Sequence, residues 1–311
     1  MNIKQQTIAS SISCSGVGLH TGLKCKLTFR PALENSGVNF VRTDLKNESA
    51  IPADVAHVVD TARGTTLSRK GVIVRTIEHV LAALAGLQID NVTIELTAEE
   101  PPIMDGSALP FVKLILEAGV TVQAADRELL EVDRQVVVED TDHGNRIEIK
   151  PYREFRINGS LEYNEGILAP QTVLLERIED FSEEIAPART FGFLSELKEL
   201  RRAGLAQGGS LENAVIFVDR SINDQQRNEL AEMFGEDEEN LIGSNGILNL
   251  GGLRFPDEPV RHKVLDLVGD LMLLGSPIRG EITAQKMSHA LNVEFVKKLR
   301  QEYPQKKEAI A

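Results

Sequence analysis

The chain has 311 residues, 42% of them hydrophobic and 26% charged, a globular composition long enough for about two domains with sizeable cores. A formal net charge of −13, 5% aromatic residues and no Trp oppose the basic, base-stacking surface of a nucleic-acid binder, so no nucleic-acid partner is expected. The opening MNIKQQT lacks the apolar stretch of a secretory signal, and no apolar run approaches the roughly 20 residues of a membrane span. The expectation is a soluble, cytoplasmic protein with no transmembrane segment. Anionic small molecules remain possible partners, because a local Lys or Arg can hold a phosphate inside an acidic protein.

In chain order, SCSGVGLHTG is followed by GLKCKLTFRP, where Cys25, Leu27 and Phe29 alternate with polar residues as a half-buried strand does, and Pro31 ends it. Cys14 and Cys25 read as small reduced hydrophobes rather than a disulfide framework. From Thr76 to Gly86 an apolar helix is expected, in which Glu78 and His79 are the only titratable residues. Burying an isolated charge costs several kcal/mol unless it is paired or bound to a metal. The helix therefore either supplies partners for Glu78 and His79 or starts as an exposed turn in which Glu78 favours the helix dipole.

The polar stretch Ala124 to Arg127 separates strand-like Val120 to Val122 from Val136 to Val138, which places a boundary between domains 1–126 and 127–300. Beyond it the pattern repeats. GNRIEIKP echoes GLKCKLTFRP, and RHKVLDLVGDLMLLGSPIRGEITA echoes TIEHVLAALAGLQIDNVTIEL as helix, glycine stop and strand. Two similar α+β halves follow from this duplication.

Within the second half, Phe191, Phe193, Leu194, Leu197 and Leu200 form a stripe at helical spacing ahead of GLAQGGS. From Ser221 to about Asn245 the chain turns acidic, with EDEE at Glu236 to Glu239. That segment reads as an insertion, a solvated loop with one helical turn rather than a partner surface. The last residues, 301–311, read as a frayed polar tail.

A helix starting at His262 carries His262, Asp266 and Asp270 on one narrow stripe, with Val264, Leu265, Leu267, Val268 and Leu271 on the other side. A His and a carboxylate at i and i+4 present nitrogen and oxygen ligands together, as Zn²⁺ prefers; the alternative is a polar face in water. With His79 the set becomes two His and one Asp, which leaves a fourth position open for water. Glu78 can take a proton from that water, and His289 in KMSHALN is a candidate acid for a leaving amine or a structural histidine. Other motifs fail: Thr21 occupies the third glycine position of G-x-G-x-x-G, QGGSLEN lacks the closing glycine of G-x-S-x-G, and no Lys-Ser or Lys-Thr follows Gly204 to Ser210.

These motifs, SGVGLHTG, TIEHVLAALAGLQIDN, PPIMDGSALPFV, ARTFGF, GLAQGGSLENA, RHKVLDLVGDL and SHALN, resemble in order those of the UDP-3-O-acyl-N-acetylglucosamine deacetylases (LpxC family) of lipid A biosynthesis. The resemblance implies two two-layer α/β sandwich domains with duplicated β-α-α-β-like halves, their helices packed between the sheets. It also implies that His79, His262 and Asp266 bind zinc, that Glu78 is the general base, and that His289 is the acid, oriented by Asp270. By the same resemblance Thr190 donates to the oxyanion, Phe191 belongs to the substrate-binding set, Lys263 meets the nucleotide diphosphate, and GFLSELKELRRAGLAQGG forms the acyl-chain passage. A monomer acting on an acylated UDP-sugar is expected. Two departures from the family pattern are the acidic segment after Ser221 and Arg63 in DTARGTTL, both outside the expected ligands.

Overall fold

The computed structural model describes residues 3–46, 49–162, 168–235, 241, 246–248 and 251–304. Strands β1 (Lys4–Ile8), β2 (Ile12–Val17), β3 (Lys24–Pro31), β4 (Val38–Arg42), β5 (Ile51–Pro52), β6 (Val58–Asp60), β7 (Thr66–Arg69) and β8 (Val72–Val74) lead into helix α1 (Glu78–Gly86). They are followed by β9 (Val92–Leu96), α2 (Leu109–Ala118) and β10 (Val120–Asp126). Among the described residues a five-stranded sheet runs β2-β3-β9-β4-β5, with β9 antiparallel to β3 and parallel to β4. The alternation read from sequence holds in β3, whose Cys25, Leu27 and Phe29 are buried.

The second half contains β11 (Leu130–Glu131), β12 (Val136–Asp140), β13 (Asn145–Lys150), β14 (Phe155–Leu161), β15 (Gln171–Leu175), α3 (Phe181–Glu184) and β16 (Phe191–Phe193). It continues through α4 (Leu194–Arg202), β17 (Val215–Phe217), α5 (Asp224–Phe234), α6 (Glu258–Leu271), β18 (Ile278–Gln285) and α7 (His289–Glu302). Its main sheet runs β12-β13-β18-β14-β15, with β18 antiparallel to β13 and parallel to β14, and β11 adding in parallel to β18. Strand for strand this repeats the first sheet, so the duplication legible in the sequence is a duplication of topology, and the fold is α+β.

One continuous core joins the inner faces of both sheets to α1, α6 and α7. Helix α1 is buried at every residue except Ala85, as a helix apolar all round requires. Helix α6 crosses it so closely that a Cβ on Gly269 would lie 2.1 Å from the Glu78 carbonyl oxygen. Only glycine permits that approach. The backbone of Glu78 thus rests on α6, and the two helices that carry the candidate residues pack without a spacer.

Several boundaries differ from the sequence reading. Helix α1 starts at Glu78 rather than Thr76, because Thr76 takes a left-handed φ of 51° with its hydroxyl donated to Glu100 at 2.9 Å. Helix α6 starts a turn before His262, with Pro259 in its first turn, where the missing N–H costs nothing. The polar stretch at Ala124 is strand through Asp126, paired with β1. The apolar stripe is not one helix: Phe191 to Phe193 pair in parallel with Val215 to Phe217, and α4 begins only at Leu194. The acidic segment contains an 11-residue helix, α5, rather than a single turn; EDEE lies outside the described residues. At the C-terminal end α7 runs through Glu302, and Tyr303 donates to Asp133 at 2.8 Å, so the expected tail begins helical and tethered.

Candidate active site

Helix α1 opens with Glu78 and His79 and α6 presents His262, Asp266 and Asp270, all within 4% of full burial; His289, 8% exposed, is the first residue of α7. The sequence alternatives of an exposed first turn and a polar face in water are thereby settled in favour of burial. One atom from each of His79, His262 and Asp266 lies within 4.8 Å of the others. His262 Nε2 is 3.4 Å and His79 Nε2 3.8 Å from Asp266 Oδ1, and the two imidazole rings meet edge to face with centroids 5.0 Å apart.

The chemistry of this set suits a cation. Ala188 O lies 3.1 Å from His262 Nδ1 and can only accept, so Nδ1 carries the proton and Nε2 keeps its lone pair. Burial lowers the pKa of His79 to about 3 and also lowers that of His262, leaving both imidazoles neutral near pH 7. Burial alone would raise Asp266, but His262, Lys263, His289 and His79 hold its carboxyl well below the usual range. Its Oδ2 accepts from Lys263 Nζ at 2.7 Å, while its buried Oδ1, facing the two imidazoles, has no hydrogen-bond partner among the described residues. A buried carboxylate oxygen left without a partner costs several kcal/mol, and a divalent ion between it and the two nitrogens removes that cost. Two nitrogens and one oxygen so placed can hold a metal ion.

Beside the triad sit the carboxyl of Glu78 and the imidazole of His289. Burial raises the Glu78 carboxyl to about 7, although His289 opposes the shift. The His289 imidazole is raised as well: burial lowers it, but the carboxylates of Asp270, Glu78 and Asp266 together outweigh burial and bring it to about 9. Its Nδ1 is 2.9 Å from Asp270 Oδ2, which also accepts from Asn292 Nδ2 at 2.9 Å. Its Nε2 therefore faces Glu78 Oε1, 3.8 Å away.

The Phe191 ring is 6.2 Å from His262 and 5.7 Å from Lys263 Nζ. Thr190 is fixed through its backbone, its N–H donating to Gly106 O at 2.8 Å and its carbonyl accepting from Val215 N at 2.9 Å. Among the described residues no hydrogen bond joins its hydroxyl to the triad or to Glu78 and His289. Arg63 forms an exposed ion pair with Glu196 of α4 at 2.9 Å. The GLAQGGS loop reaches SGVGLHTG through Gly208 N to Leu19 O at 3.0 Å.

Sequence reading missed three contributors: the Ala188 carbonyl, Asn292 and Thr65. It also missed the buried ion pair of Arg189 and Glu258 at 2.9 Å, which fixes the strand next to Ala188 to the start of α6. A backbone carbonyl leaves no trace in residue types, whereas Asn292, one turn after His289 in KMSHALN, was visible as a polar residue at helical spacing.

A family model described as LpxC, UDP-3-O-acyl N-acetylglycosamine deacetylase, matches residues 5–235 and 222–301. The chain belongs to this family. Among the LpxC relatives, the UDP-3-O-acyl-N-acetylglucosamine deacetylase of Myxococcus xanthus is 45% identical over 296 residues, 95% of this chain and 86% of its own length. That of Chromohalobacter salexigens is 41% identical over 300 residues, covering 96% and 90%. The bifunctional LpxC/FabZ enzyme of Chlorobaculum tepidum is 44% identical over 302 residues, and the chain spans 65% of that longer protein.

Proposed function

We propose that this chain removes the N-acetyl group from a UDP-3-O-(3-hydroxyacyl)-N-acetylglucosamine in lipid A biosynthesis, releasing acetate. The observation that carries the reading is the unbonded Asp266 Oδ1 between His79 and His262, set beside the Glu78 and His289 pair, in a chain of the LpxC family. His79, His262 and Asp266 would hold zinc. When bound, such an ion lowers the pKa of water and polarises the acyl oxygen.

Glu78 accepts a proton from the attacking water as its oxygen adds to the acetyl carbonyl carbon. His289 then gives the proton on Nε2 to the amine nitrogen as the C–N bond breaks, leaving acetate and the free amino sugar. Asp270 holds the His289 ring by Nδ1, so that Nε2 stays aimed at the reacting centre. Thr190 donates to the oxyanion, where a fixed donor acts on charge that develops only in the transition state. Lys263 meets the diphosphate and Phe191 packs against the sugar and chain. The apolar face of β16 and β17 that carries Phe193, Val215 and Phe217 lines the acyl passage, and α4 packs through Leu194 and Leu197 on the Ile216 side of the same strands.

The same reading places the enzyme in the cytoplasm as a monomer. Among the described residues no helix is long and apolar enough to cross a membrane. The test is acetate release from the acylated UDP-sugar by the zinc-loaded chain. Glu78→Gln and His289→Ala should each lose orders of magnitude in turnover while remaining folded. Near-wild-type turnover in both would remove them from the mechanism.

A further inference from the structure

Thr65 is completely buried and touches both sides of the acid–base pair. Its backbone N–H donates to Glu78 Oε2 at 3.0 Å, and its hydroxyl donates to Asp270 Oδ1 at 2.6 Å. The Thr65 hydroxyl oxygen also lies 3.3 Å from His289 Nδ1, whose closer partner is Asp270 Oδ2 at 2.9 Å. The chain around Thr65 is shaped for this approach. Arg63 has a left-handed φ of 63°, and a Cβ on Gly64 would stand 3.0 Å from Glu78 Oε1. Ile77 N–H, just before α1, donates back to the Thr65 carbonyl at 3.4 Å.

We propose that Thr65 is a positioning residue that keeps the proton acceptor and the proton donor in register, an assignment that rests on the reading of Glu78 and His289 given above. Each carboxylate has two oxygens and rotates easily about its terminal bond. The Thr65 N–H takes one oxygen of Glu78 and leaves Oε1 turned towards His289. The Thr65 hydroxyl takes one oxygen of Asp270 and leaves Oδ2 for His289 Nδ1. Asn292 binds that same Oδ2, and the Thr65 hydroxyl holds the other oxygen, Oδ1. One residue therefore sets the orientation of two carboxylates on different helices, and with them the 3.8 Å separation of Glu78 Oε1 and His289 Nε2. Catalysis of this kind is sensitive to placement, with about a hundredfold loss for a 1 Å error.

The experiment compares Thr65→Val, which keeps shape and loses the hydroxyl, with Thr65→Ser, which keeps the hydroxyl, in the zinc-loaded full chain. Both are measured for kcat and KM on the acylated UDP-sugar, for zinc affinity by chelator competition, and for thermal unfolding. Losing a hydrogen bond to a charged group should lower kcat of Thr65→Val by about 10- to 100-fold. KM and zinc affinity should stay near wild type, and Thr65→Ser should recover most of kcat. Thr65→Ala provides the same comparison should the valine variant not fold. Wild-type kcat in Thr65→Val, an equal loss in Thr65→Ser, or a loss confined to KM or zinc binding would overturn the assignment. An inactive wild-type chain would instead overturn the deacetylase reading, and this assignment with it.

Discussion

Asp270 Oδ2 lies 2.9 Å from His289 Nδ1, and the negative charge of this buried residue of α6 favours the protonated form of the imidazole on α7. With Glu78 raised to about 7 and His289 to about 9, kcat/KM of the zinc-loaded enzyme should rise through about pH 7 and fall through about pH 9. Both limbs belong to the coupled pair rather than to either residue alone. The sign of the Asp270 effect follows from charge: its carboxylate favours imidazolium, so Asp270→Asn should lower the His289 pKa and move the alkaline limb to lower pH. An alkaline limb that stays in place in Asp270→Asn would separate His289 from that limb.

A second prediction tests the close crossing of α1 and α6. Gly269→Ala would improve helix propensity in isolation, by roughly 0.5–1 kcal/mol. Here the added methyl meets the Glu78 carbonyl oxygen at 2.1 Å, and backbone cannot swing aside as a side chain can. Overpacking should win, at about 1–3 kcal/mol of lost stability. Because the displaced turn carries His79, zinc affinity should fall with it. Thermal unfolding and chelator competition check this, and a variant as stable as wild type would show that the helices have room to part.

The acyl chain provides a third. Each methylene buried in the passage contributes about 0.8 kcal/mol, and binding energy remote from the scissile amide can be used at the reacting centre. Removing the 3-O-acyl group should therefore lower kcat/KM by several orders of magnitude, partly in kcat, at fixed zinc. Equal efficiency on UDP-N-acetylglucosamine with and without the chain would remove β16, α4 and β17 from substrate binding.

Much of the fold was legible because burial imposes periodicity. Cys25, Leu27 and Phe29 announced β3, and the two helix, glycine and strand passages announced the repeat, which the matching sheet orders bear out. The stripe at Phe191 misled because residues at 191, 193 and 194 satisfy either period; aromatic residues flanking Gly192 favoured the strand. Helix α5 did carry a start signal, since Asn223 and Gln226 form a reciprocal capping box, but the charge of its surroundings drew attention away. At the site, His79, His262 and Asp266 were legible as types able to bind metal at helical spacing or in an apolar helix. Thr65 was not, because a threonine in DTARGTTL has no distinguishing neighbour, and its partners lie 13 and 205 residues away.

The most direct measurement is zinc titration of chelator-treated protein, following bound metal and acetate release from the acylated UDP-sugar together. Activity should return in proportion to zinc and saturate at a single ion per chain, as a three-residue set with an open position implies. His79→Ala and His262→Ala should neither retain the ion at that concentration nor release acetate. Full zinc occupancy and turnover in those two variants, or full activity in the metal-free wild type, would contradict a catalytic zinc held by His79, His262 and Asp266.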